Sequence, residues 1–225
     1  VRAYLRAAFE LGIHAKNIAR WRGQIPDFGL THNPVAATRR AVKRKPVGTR
    51  SLDWEEVCAI WSAPGLSHSS RITLQLLIST GQRVEEVLQA SWNEFDLAEN
   101  VWIIPAERRK TRSSSSEPHV VPLTAFHSTL LEQVRATNEE GEWLFLHQNR
   151  NQPRNANALC QATRRFCTKN GIKPFAPRDC RRTFKTLSGS IGIDLELRNR
   201  LQGHAMTDVG SVHYDRWSYL PEKRE

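Results

Sequence analysis

Helical patterns of hydrophobic and polar residues dominate the chain, and short extended patterns interrupt them once. Residues 72–78, ITLQLLI, are too uniformly apolar for a surface helix and predict one buried at the centre of a domain. Residues 124–137 carry Phe126, Leu130, Leu131 and Val134 on one stripe, and residues 155–170 form a further helix with Arg164 and Arg165 on its open face. The stretch SLDWEE at 51–56 reads as a helix start, with Ser51 or Asp53 as cap and carboxylates in the first turn. Residues 94–97, 101–104 and 119–122 read as strands of one sheet. The expected fold class is mainly α with a small antiparallel three-stranded β-sheet, an α+β arrangement.

Residues 1–13 show helical periodicity through Val1, Tyr4, Leu5, Ala8 and Phe9, and read as the end of a preceding domain. The chain starts within that pattern and not at a methionine, so further sequence is expected ahead of it. Pro26 and Pro34 punctuate the next segment, and RRAVKRKPVGTR at 39–50 is basic with little to bury. The division expected is therefore a helical remnant at 1–35, a basic linker at 36–50 and a main domain at 51–225.

Charge narrows the partner. A formal net charge of +10 and a pI near 10.0 point to a polyanion. Cys58, Cys160, Cys167 and Cys180 are scattered without metal-ligand spacing and read as buried reduced thiols. With no apolar run of membrane-spanning length, a soluble intracellular protein is expected. No GxxxxGK pattern indicates ATP.

The polar residues that carry chemistry gather in a few places. Gly81 permits a turn between two helices and puts Arg83 near a helix start, where backbone N–H groups also face anions; Glu86, three residues on, shares its face and can orient it. Arg178 and Arg181 are also three apart and on one helix would grip one anion together. Residues 106–117 form a polar turn with Arg108, Arg109, Lys110 and Arg112. His204 follows a helix stop at Gly203, and Tyr214 lies in VHYDRW.

RRTF at 181–184, LQGH at 201–204 and HYDR at 213–216 resemble, in order and spacing, the C-terminal boxes of tyrosine recombinases, in particular phage-type integrases that move genomic islands. TGQRVEEVLQASWNEFDL at 80–97 resembles the first arginine box, and the 101–123 stretch resembles the strand pair that carries the family's lysine. The resemblance implies the recombinase catalytic fold, with residues 1–35 as the remnant of a core-binding domain.

It also implies a site-specific recombinase that integrates or excises a prophage or genomic island. Tyr214 would be the nucleophile that forms a 3′-phosphotyrosyl intermediate, with Tyr219 as its nearby rival. Arg83 and Arg181 would stabilise the transition state, with Arg178 and His204 also on the phosphate. Lys110 would protonate the departing 5′-oxygen, a role the neighbouring arginines cannot share because guanidinium stays protonated. Arg108, Arg109, Arg112, Arg182, Lys43, Arg44 and Lys45 would grip DNA. No cofactor or metal is implied. Double-stranded DNA at attachment sites, a homotetrameric synapse and a cytoplasmic, nucleoid-associated setting are implied.

Two departures stand out. Arg178 occupies a place where many recombinases carry histidine, and ten residues separate His204 from Tyr214, one more than the broader pattern. Two other functions fit the same boxes: a catalytically weak or inactive DNA-binding relative, and a type IB topoisomerase that relaxes supercoils without strand exchange.

Overall fold

The computed structural model describes residues 2–15, 28–38, 48–109, 117–138, 141–147, 152–204 and 219–224. The chain divides into two compact units, Val1–Gly48 and Thr49–Glu225. In the first unit, helix α1 (Arg2–His14) is tied to the segment after it. Arg2 donates from Nε to Thr38 Oγ1 at 2.9 Å, and Asn33 donates from Nδ2 to Glu10 Oε1 at 2.8 Å.

The second unit is built around α3 (His68–Thr80). Ile72, Leu74 and Leu77 on it are fully buried, each contributing about 1.5–3 kcal/mol relative to an exposed side chain. Around it pack α2 (Trp54–Ser62), α4 (Val84–Leu88), α5 (Ala125–Arg135), α6 (Ala156–Asn170) and α7 (Asp179–Ser190). After α7 come α8 (Leu195–Leu201) and α9 (Leu220–Arg224). The central helix foreseen from its apolar run is therefore the one that these five neighbours share. None of the described helices is long and apolar enough to cross a membrane.

Between α4 and α5 lies the antiparallel sheet β1 (Phe95–Asp96), β2 (Val101–Ile104) and β3 (His119–Pro122), in that order. Its register pairs Phe95 with Trp102 and Ile104 with His119. Phe95 stacks on Trp102 with ring centroids 5.4 Å apart. β1 is shorter than the 94–97 expected, because Trp92–Glu94 forms a 3₁₀ turn that sends the Glu94 carboxylate inward to the Trp102 indole.

Local chemistry sets the helix ends. Asp53, and not Ser51, caps α2: its carboxylate accepts from the Glu56 amide at 2.9 Å, and Glu56 accepts from the Asp53 amide at 3.0 Å. Cys167 and Cys180 are buried as expected, whereas Cys58 and Cys160 are exposed, since each lies on the solvent side of its amphipathic helix.

Candidate active site

The first arginine sits where two helices break. Gly81 ends α3 at φ 66° and returns its amide to the Leu77 carbonyl at 3.2 Å. A Cβ there would lie 2.4 Å from the Phe184 ring, so glycine is required by close approach as well as by handedness. Arg83 follows as the N-cap of α4. Glu86 accepts from the Arg83 amide at 2.8 Å and from its Nη1 at 2.7 Å. The carboxylate is 3% exposed, so this is a buried ion pair and not a solvated one.

The second arginine reaches the same place from α7. Arg181 donates from Nη1 to the Gly81 carbonyl at 2.7 Å and from Nη2 to the Gln202 carbonyl at 2.6 Å. Burial first, then the neighbouring charge of Arg83, lowers its pKa to about 10, which leaves it cationic at neutral pH. Its neighbour Arg182 turns back to an ion pair with Asp179. Thr183 is fully buried and accepts the Leu52 amide at 2.9 Å. The three residues of RRT thus face the site, the rim and the core in turn.

His204 is delivered by a turn that other segments hold through its backbone. The Leu201 carbonyl accepts from Gln82 Nε2 at 2.8 Å and from His119 Nε2 at 3.1 Å. The Gln202 carbonyl accepts from Arg181, and the Gly203 carbonyl from Arg109 Nη2 at 2.9 Å. The His204 amide donates to Asn199 at 3.0 Å, and the Asn199 side chain accepts from Lys185 Nζ at 2.6 Å. The outer edge of His204 is exposed, yet partial burial of the ring, followed by the charges of Arg181, Lys185 and Arg83, lowers its pKa to about 4. The imidazole is neutral at physiological pH.

Arg83, Glu86, Arg181 and His204 are therefore brought together. Arg178 is not: it precedes the first residue of α7, its guanidinium is exposed, and its charge acts on the Cys160 thiol of α6. Arg178 has helical backbone angles, φ −62° and ψ −21°, and shares none of the described acceptors of Arg181.

Arg108 and Arg109 also differ from the expected solvent-facing grip. Arg108 donates to Glu94 Oε2 at 2.7 Å and to the Glu86 carbonyl at 3.1 Å. Arg109 is 9% exposed and donates to the carbonyls of Glu117 and Gly203. Both guanidinium groups have acceptors inside the domain that a local reading of a basic loop does not register. Lys43, Arg44, Lys45, Lys110, Arg112 and Tyr214 lie outside the described residues. The rival Tyr219 is described, with Arg200 Cζ 3.6 Å from its ring centroid.

Gln82, Arg109 and His119 belong to this site and were not legible as such. A signal existed for His119: alternation along β3 puts it on the buried face with Val121, where a polar side chain needs a partner. Its ring is neutral, the pKa lowered to about 3 by burial first and then by Lys223 and Arg109.

Two half-buried guanidinium groups around one buried carboxylate, beside a neutral imidazole, can hold an anion with a hydrogen-bonding and proton-accepting group next to it. Residues 50–217 match the phage integrase family. Prophage integrase IntZ of Escherichia coli strain K12 is 28% identical over 93% of this chain and 52% of its own, so the chain spans about half the length of that relative. A lambda integrase dimer bound to a COC′ core site matches with a TM-score of 0.63 and 18% identity over 100% of this chain and 57% of that one. A lambda integrase tetramer bound to a Holliday junction gives 0.60 and 21% over 96% and 59%. These two structures share its fold, and the match over 50–217 places the chain in the phage integrase family.

Proposed function

We propose that this chain carries the catalytic domain of a site-specific DNA recombinase that cuts and rejoins strands through a 3′-phosphotyrosyl intermediate. The observation that carries the reading is the convergence of Arg83 and Arg181 on a site with one buried carboxylate and a neutral His204. A phosphodiester entering there supplies the negative charge that these groups lack.

Tyr214 is the nucleophile of this reading. Its phenolic oxygen forms the bond to phosphorus as the bond from phosphorus to the 5′-oxygen breaks. Charge grows on the two non-bridging oxygens, and N–H groups of Arg83 and Arg181 stabilise it; removing one such donor costs roughly a hundred- to a thousandfold in rate. The Tyr214 proton passes to the neutral imidazole of His204, to His213 or to water, and Lys110 protonates the 5′-oxygen. The covalent bond stores the phosphodiester energy, so a second 5′-hydroxyl reverses the step and joins a different strand.

Duplex DNA in the cytoplasm is the substrate, and a homotetramer performs the exchange, a reading supported by the lambda integrase assembly on a Holliday junction. Lys43, Arg44, Lys45, Arg112 and Arg182 contact the backbone in this scheme, and affinity falls steeply with added salt.

The test is a nicked suicide duplex from which the cut fragment diffuses away, incubated in chelator and resolved on a denaturing gel. A covalent adduct that vanishes in Tyr214→Phe and survives in Tyr219→Phe is expected. Salt-sensitive binding with no adduct would overturn the reading in favour of a DNA-binding relative.

A further inference from the structure

Arg109 is a buried cation inside an already cationic site, which requires a reason. Its guanidinium spans two backbone carbonyls far apart in sequence. Nη1 donates to Glu117 at 3.2 Å and Nη2 to Gly203 at 2.9 Å. Its own amide closes the 3₁₀ turn of Ala106–Arg108 by donating to the Ala106 carbonyl at 3.1 Å.

The first of these bonds joins Arg109 to the described residue Glu117. The second fixes the carbonyl immediately before His204. Only a planar fork with several N–H donors meets both carbonyls at once; a lysine ammonium reaches one, and an apolar side chain neither. Gly203 is held from a second side as well, since a Cβ on it would lie 3.0 Å from the His119 ring.

We infer that Arg109 is a positioning residue that fixes the turn carrying His204, and not a contact to the DNA backbone. The inference rests on the cleavage reaction proposed above. It gives one buried side chain control over the imidazole beside the phosphate. Displacement of His204 by about 1 Å costs up to a hundredfold in rate.

The test compares Arg109→Met and Arg109→Lys with the unsubstituted protein in three measurements. Single-turnover cleavage of the suicide duplex at saturating DNA is expected to slow roughly ten- to a hundredfold in the methionine variant, with partial recovery in the lysine variant. Duplex affinity and its salt dependence are expected to stay unchanged. Amide hydrogen exchange over residues 195–204 is expected to rise in the methionine variant and less in the lysine variant, which also serves if the methionine variant fails to fold. Unchanged cleavage with weaker binding and a salt slope shallower by about one would overturn the inference in favour of a phosphate contact. Unchanged exchange would overturn it whether or not the unsubstituted protein cleaves, whereas absence of an adduct from the unsubstituted protein counts against the recombination reading alone.

Discussion

Glu86→Gln removes one charge and keeps the shape of the side chain. The carboxylate it replaces is 3% exposed and accepts two bonds from Arg83, at 2.7 and 2.8 Å. Arg181 and Arg109 also draw on its charge. Breaking a buried pair outright costs about 3–5 kcal/mol, and a hydrogen bond to a charged group is worth about 1.5–3 kcal/mol. The amide retains one acceptor oxygen, so the loss expected is roughly 2–4 kcal/mol, or about 4–16 °C in Tm for a domain of this size. Urea unfolding monitored by tryptophan fluorescence measures it. DNA adds a second arm. A phosphate in the site replaces the missing negative charge, so saturating duplex should raise the Tm of Glu86→Gln by more than it raises that of the unsubstituted protein. A stability loss below about 0.5 kcal/mol, together with an equal DNA-induced shift, would refute the reasoning that Glu86 is the shared counter-charge.

Gly81→Ala forces a Cβ to within 2.4 Å of the Phe184 ring at a positive φ; a loss of about 2–4 kcal/mol is expected in the same unfolding assay. Arg108→Leu leaves Glu94 buried without its cation and should cost about 3–5 kcal/mol, whereas Glu94→Leu with Arg108→Leu should cost less than the single change. His119 and His127 are buried, with pKa values lowered to about 3 and about 4 from 6.5. The unfolded chain then binds more protons than the folded one below pH 6.5. Stability is full above that pH and falls as pH drops toward the folded values, by about 2 kcal/mol per histidine at pH 5. Equal unfolding midpoints at pH 7 and pH 5, or imidazole NMR signals titrating near 6.5 for both, would contradict this.

The central helix, the sheet and the Arg83–Glu86 pair were legible because each rests on local periodicity: an apolar run, strand alternation, and an i to i+3 spacing at a helix start. What escaped was the fate of individual cations. Arg108, Arg109, Lys110 and Arg112 look alike in a count of charge, and what separates Arg109 is an acceptor 94 residues away at Gly203. Arg178 is a different case. Its backbone is already helical at the N-cap of α7, but a three-residue spacing to Arg181 does not fix which group each guanidinium faces. Arg178 is exposed and acts on the Cys160 thiol. The exposed Cys58 and Cys160 show the same limit from the other side, since small thiols are tolerated on the open face of a helix whose core stripe is set by larger residues.

The bonds that assemble the site join residues 94, 100 and 119 positions apart: Arg109 to Gly203, Arg181 to Gly81, and Gln82 to Leu201. Such contacts close long loops, so they form late in folding and mostly after local helices are in place. A chain still emerging from the ribosome holds helix α3 and the sheet before it holds any acceptor for Arg109 or any turn to carry His204. The cluster of Arg83, Glu86, Arg181 and His204 therefore cannot exist in a partly made molecule. On the recombination reading proposed above, strand cleavage awaits completion of the last third of the domain.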